Sequence, residues 1–200
     1  MIKLRSVVAL LFFVGVLMAS PFTNDSKPFR IDINHSNIGF AVPIAGGLSK
    51  VRGKFSEFKM DFNYDDKDIT KSSVDVKIAA KSVDTGINQR DEHLRTADFF
   101  DVEKYPEITF KSKRIIKKGK NLTLVGDFTM HGVTKEISFP FTVTGRQFEA
   151  KEKLLTLGFL ANLKINRRDF GINYSHDVPD FIGDMVEIEL SIITRANKIE

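Results

Sequence analysis

From Phe29 onward the chain alternates apolar and polar residues with a period of two, in one segment after another, and this pattern dictates half-buried β-strands. Phe29, Ile31 and Ile33 alternate with Arg30, Asp32 and Asn34. After a break at His35-Ser36-Asn37, the pattern resumes at Ile38, Phe40 and Val42, as two strands or one bent strand. Gly46-Gly47 makes a turn. In the next segment Val51, Gly53 and Phe55 hold one parity and Phe58, Met60, Phe62 and Tyr64 the other. The switch at Ser56-Glu57 predicts a β-bulge, because one extra residue returns the following side chains to the same face. Val74 to Ala80, Ile108 and Phe110, Leu122 to Met130, Ile137 to Val143, Leu155 to Ile165 and Val186 to Ile192 repeat the pattern. Eight or nine strands result, nearly all with one apolar face.

Half-buried antiparallel strands in that number, joined by short turns, point to a barrel or a sandwich, and the bulge and the long strands favour the barrel. About eight strands enclose an interior that side chains can just fill or that holds one small ligand. Periodicity leaves a solid core and an apolar cavity both open. The chain has 18 phenylalanines and no tryptophan, and most of the phenylalanines beyond the leader fall on the inward parity. Cysteine is absent, so the domain is held by its own core, and sulfur redox chemistry is excluded.

One stretch interrupts the β pattern. Lys81 to Phe110 reads KSVDTGINQRDEHLRTADFFDVEKYPEITF and crowds charges, paired phenylalanines and turn residues together. Thr85-Gly86 supplies turn chemistry, and Asn88 is expected to cap a short helix running to about Thr96. Asp91 then sits in the first turn, where the helix dipole favours a negative charge, and lies four residues before Arg95, the spacing of a helical ion pair. Leu94, Phe99 and Phe100 form an apolar underside. Tyr105-Pro106 forces an extended entry into the next strand. The expectation is a helical lid at about residues 85–101, over the mouth of the barrel.

The first residues predict export. Lys3 and Arg5 precede an apolar run from Val7 to Met18 that ends in Ala19-Ser20, the pattern of a cleaved secretory signal over 1–19. That run is short for a spanning helix. A polar tether over 20–28 then leads into a single domain over 29–195. Without Lys3 and Arg5, the 30 basic residues fall to 28 against 26 acidic ones, interspersed along the chain, which gives no footprint for nucleic acid.

Four separated motifs carry a family resemblance. DINHSNIGFAV with VRGKF, the segment SVDTGINQRDEHLRTADFFDVEKYPEITFKS, the phrase LVGDFTMHGVTKEISF, and RRDFGIN with IGDMVEIEL resemble the YceI-like family, the lipocalin-like polyisoprenoid-binding proteins of the bacterial periplasm. The resemblance covers Phe29 to Thr194. It implies an all-β fold, an extended eight-stranded antiparallel lipocalin-like barrel with the helical lid, and a long tunnel for an isoprenoid or another long-chain amphiphile. Under it, Phe40, Val42, Phe55 and Phe58 are expected in the apolar tunnel, with Leu94, Phe99 and Phe100 from the lid and Phe110, Phe128 and Phe170 from later strands. Arg90, Asp91, His93 and Arg168 are expected at a polar mouth. There they either hold a head group or, with Asp169, form an ion-pair network that fastens the lid.

The expected function is a periplasmic carrier or store of a long-chain isoprenoid lipid of the quinone or polyprenyl phosphate type, with no cofactor and no metal. A fatty acid or fatty amide bound by a scavenger or stress factor is the alternative cargo. An enzyme acting on a tunnel-bound lipid is the alternative from another class. None of His35, His93, His131 and His176 has metal-ligand spacing, no G-x-S-x-G elbow occurs, and Asp91 and His93 diverge on a helix, so catalysis has little support in the sequence. Transient contact with a membrane or a membrane redox protein, and a homodimer, are left open.

Overall fold

The computed structural model describes residues 29–174, 178 and 181–197. The expected leader over 1–19, the tether over 20–28 and His176 lie outside the described residues. The alternating segments fold into β1 (Arg30–Ile31), β2 (Asn37–Ile44), β3 (Ser49–Phe55), β4 (Phe58–Asn63), β5 (Ser73–Ala79) and β6 (Val83–Asp84). Helix α1 (Asn88–Arg95) follows, then β7 (Glu107–Lys118), β8 (Asn121–Met130), β9 (Val133–Glu149), β10 (Leu154–Asn166) and β11 (Met185–Asn197).

All pairings are antiparallel, in the order β4-β5-β7-β8-β9-β10-β11-β2-β3-β6. The sheet is strongly curled. Its two ends come together because β3 runs into β4 through one corner, and because β1, paired with β11, leads back to Phe29, which bridges Phe62 of β4. With β3 and β4 counted as one bent strand and the two-residue β1 and β6 set aside, eight strands remain.

The parity switch at Ser56-Glu57 is this corner. Phe55 and Phe58 are both buried although three residues apart, so the chain turns between them to keep both rings inside. Ser82 holds the turn. Its carbonyl accepts the Ser56 amide at 3.1 Å, and its hydroxyl accepts the Glu57 amide at 3.1 Å and donates to the Ala79 carbonyl at 2.7 Å. The inward parity builds a core from Ile38, Phe55, Ile78, Ile108, Phe128, Phe139 and their neighbours. Two inward-facing glycines make space for rings. The Phe40 ring lies over Gly53 and the Phe110 ring over Gly126, so a Cβ at either position would overlap the ring.

Helix α1 covers one end of this barrel, as the charged stretch predicted, but its start differs from expectation. Asn88 is the first helical residue and Ile87 occupies the cap position, with no side-chain cap bond. The reason lies in the preceding turn, where Gly86 takes φ +78° and donates its amide to the Asp84 carboxylate at 2.9 Å.

Candidate functional site

Inside the barrel lies a cavity of about 240 Å³, lined by inward-facing residues of nearly every strand and by the lid. It exceeds the roughly 150 Å³ of an apolar cavity known to stay dry and admit benzene, so it is a compartment and not a packing defect. Phe40, Val42, Phe55, Phe110 and Phe128 line it from the strands, and Leu94, Phe99 and Phe100 line it from the lid. Phe58 and Phe170, also expected there, lie in the packed wall instead. Phe170 stacks edge-on against Phe128 at 5.3 Å, and Phe58 closes the corner above β5. Apolar residues that were not singled out, among them Met60, Leu124, Phe139, Ala161 and Ile188, complete the lining.

The lid is seated by aromatic contact and fastened by polar contact. Phe100 meets Phe55 edge-on at 5.6 Å, and Phe55 in turn meets Phe40 at 5.7 Å, so the lid ring continues an aromatic wall. Asp91 is buried and accepts the Thr85 amide at 2.9 Å and the Thr85 hydroxyl at 2.5 Å. Arg90 donates to the same hydroxyl oxygen at 2.7 Å and to the Thr85 carbonyl at 3.0 Å. The expected Asp91–Arg95 pair is not formed. Arg95 reaches out of the helix to the carbonyls of Lys81 and Val83, at 2.7 and 3.0 Å, and so ties the helix to the segment that precedes it.

The four residues expected at a polar mouth therefore do not converge on the cavity. Arg90 and Asp91 meet at Thr85. His93 is half exposed, pairs with Asp98 at 2.8 Å and presents its ring to Phe99 and Tyr174. Arg168 is also half exposed and pairs with Asp184 at 2.7 Å, while Asp169 faces Lys135 at 3.4 Å. Among the described residues no group of histidines and carboxylates could hold a metal ion.

Among the described residues, the charged one that lines the cavity is Arg167, next to the expected Arg168. It is 4% exposed. Its Nε donates to the Gly183 carbonyl at 3.2 Å, its Nη1 to the carbonyls of Ile172 and Tyr174 at 2.8 Å each, and its Nη2 to that of Ile182 at 3.3 Å, with Asp184 2.9 Å away. Burial pushes the guanidinium below its ordinary pKa, and Asp184 pulls it back. Every nitrogen is engaged, so Arg167 works as a clamp on the segment beside the mouth. The parity of β10 signals it, since Leu155, Leu157, Ala161 and Ile165 point inward and Arg167 is next in that series.

The YceI-like domain profile matches residues 29–194. A UPF0312 protein of Vibrio parahaemolyticus is 36% identical over 164 residues, covering 80% of this chain and 85% of its own length. The crystal structure of BcnA from Burkholderia cenocepacia superposes with a TM-score of 0.72 at 23% identity, covering 82% of this chain and 98% of that one. A domain from Saccharophagus degradans, described as polyisoprenoid binding and implicated in plant cell wall breakdown, superposes with a TM-score of 0.60 at 16% identity, covering 84% and 98%.

Proposed function

This chain belongs to the YceI-like domain family, and on that premise we propose that it is a periplasmic carrier or store of a long-chain isoprenoid lipid, with no chemistry of its own. The observation that carries this reading is the apolar cavity beneath the lid, in which Arg167 is the one charged lining residue among the described residues and is fully engaged by the protein. A hydrocarbon chain fits such a lining, because each buried methylene contributes roughly 0.8 kcal/mol, or about 3 to 4 kcal/mol per five-carbon unit at the upper limit. Ordering the chain and losing rigid-body freedom take back several kcal/mol, so a few units are needed for tight binding. The polyisoprenoid-binding description of the Saccharophagus domain agrees with this class of cargo. The leader pattern of the first 19 residues supports a periplasmic location. Cargo of this kind resides in bilayers, so loading requires transient contact with a membrane or a membrane redox protein.

A binding series tests the proposal. Isoprenoid alcohols of increasing chain length should bind with affinity that climbs by an order of magnitude or more per added unit until the cavity is full, then levels off. Affinity that does not depend on chain length contradicts the reading, and turnover of any of these alcohols would favour an enzyme.

A further inference from the structure

The cavity has a floor as well as a lid. At the end away from α1 it stops against a separate cluster formed by Phe29, Phe62, Leu155, Leu157 and Ala196. Thr194 sits at this boundary. It pairs with Leu157 of β10 on one side and Ile31 of β1 on the other, is 1% exposed, and is one of the lining residues. Its Oγ1 is the one buried side-chain nitrogen or oxygen among the described residues that has no hydrogen-bond partner. Buried hydroxyls are ordinarily paired, because an unmade bond leaves the cost of desolvation uncompensated.

The surroundings do not supply a partner. Ile192 and Ala196, its inward neighbours on β11, and Leu157 opposite carry no polar side-chain atom, so none of these adjacent side chains can pair the hydroxyl. Ser72, the other buried hydroxyl of the lining, accepts the Asp65 amide at 2.9 Å and belongs to its own turn. Arg167 stands ten positions along the chain from Leu157, roughly 30 Å away at the rise of a strand.

We propose that Thr194 is a specificity-determining anchor for a neutral oxygen of the bound lipid, such as a carbonyl, hydroxyl or amide oxygen. A step of about 120° about χ1 to another staggered rotamer moves the hydroxyl to a site held by the methyl or the hydrogen, so the donor can be aimed at an oxygen in the cavity. The lipid then enters oxygen end first, with its hydrocarbon trailing toward Leu94, Phe99 and Phe100. A phosphate does not fit the floor, because a buried anion needs a cation or several donors, and among the described residues no cationic side chain lines this end. This inference rests on the lipid-binding reading and narrows its cargo to the neutral class, a quinone or alcohol in place of a polyprenyl phosphate.

The test uses geranylgeraniol and the matching hydrocarbon without its hydroxyl, both radiolabelled, on the wild type, Thr194→Val and Thr194→Ser. Thr194→Val should weaken binding of the alcohol about five- to tenfold, leave the hydrocarbon within about twofold, and raise or preserve the melting temperature of the free protein. Thr194→Ser should restore the preference for the alcohol. Equal effects of Thr194→Val on both probes, no effect on either, or a lowered melting temperature would overturn the anchor. If the wild type binds neither probe, the lipid-binding reading fails and the anchor with it, an outcome distinct from binding without discrimination.

Discussion

Thr85 gives both its amide and its hydroxyl to one carboxylate oxygen of Asp91, at 2.9 and 2.5 Å, and so ties the first turn of the lid helix to the strand end that precedes it. Asp91 is 5% exposed, and its removal leaves two part-buried donors without their acceptor. Asp91→Ala is expected to cost about 2 to 4 kcal/mol in urea unfolding. Asp91→Asn keeps an oxygen where both bonds converge and should cost less than about 1.5 kcal/mol. If the two substitutions cost the same, hydrogen bonding at Thr85 is not what holds the lid.

Arg167 and Arg168 are adjacent, both touch Asp184, and should behave oppositely on substitution. Arg167→Lys loses a planar donor set that reaches four carbonyls, and should cost about 3 kcal/mol or more. Arg168→Ala breaks an exposed pair worth no more than about 1 kcal/mol. Chemical denaturation of the two variants side by side checks the ranking.

These arginines also show what could be read from the sequence. Facing directions were legible: the parity switch at Ser56-Glu57, the inward strand residues and the helical interruption all follow from the spacing of apolar side chains. Arg167 was legible too, as the inward position after Ile165, but a charge on an apolar parity looks misplaced until the carbonyls that surround it are known. Partners separated in sequence were not legible, which is why Asp91 was matched to Arg95 on its own helix instead of to Thr85 in the turn. Alternation reports which way a side chain points and not how much volume it fills, so a packed interior and a hollow one shared the same pattern. Thr194 continues the parity of Ile188, Leu190 and Ile192, and nothing in that spacing tells a partnered hydroxyl from an unpartnered one.

Glu187 sets an acid limit on the outer surface. It accepts from Lys50 at 2.6 Å and contacts Lys164 at 3.1 Å, and these two bonds hold its pKa below the ordinary value of 4.5. A carboxylate lowered in the folded state contributes stability that is complete above its unfolded pKa and is lost as pH falls through the folded value. Stability measured downward from pH 6 should therefore decline below about pH 4.5, and Glu187→Gln should flatten part of that decline. An unchanged slope in the variant would mean that the pair contributes nothing.

Gly53 lies under the Phe40 ring, so Gly53→Ala should displace that ring into the cavity and cost about 1 to 3 kcal/mol by overpacking. Ala161 lines the cavity from β10. Ala161→Phe should partly fill the cavity, leave the fold intact by circular dichroism, and reduce lipid binding at least tenfold. If Ala161→Phe binds lipid as the wild type does, the chain does not occupy this compartment.

The account turns on whether the barrel carries cargo in the cell. Mass spectrometry of the intact protein purified from its native cells, with solvent extraction of whatever it holds, decides this directly. The predicted result is one apolar isoprenoid molecule per chain, absent from Ala161→Phe prepared in the same way. Wild-type protein that runs at its bare polypeptide mass and yields no lipid on extraction would contradict it.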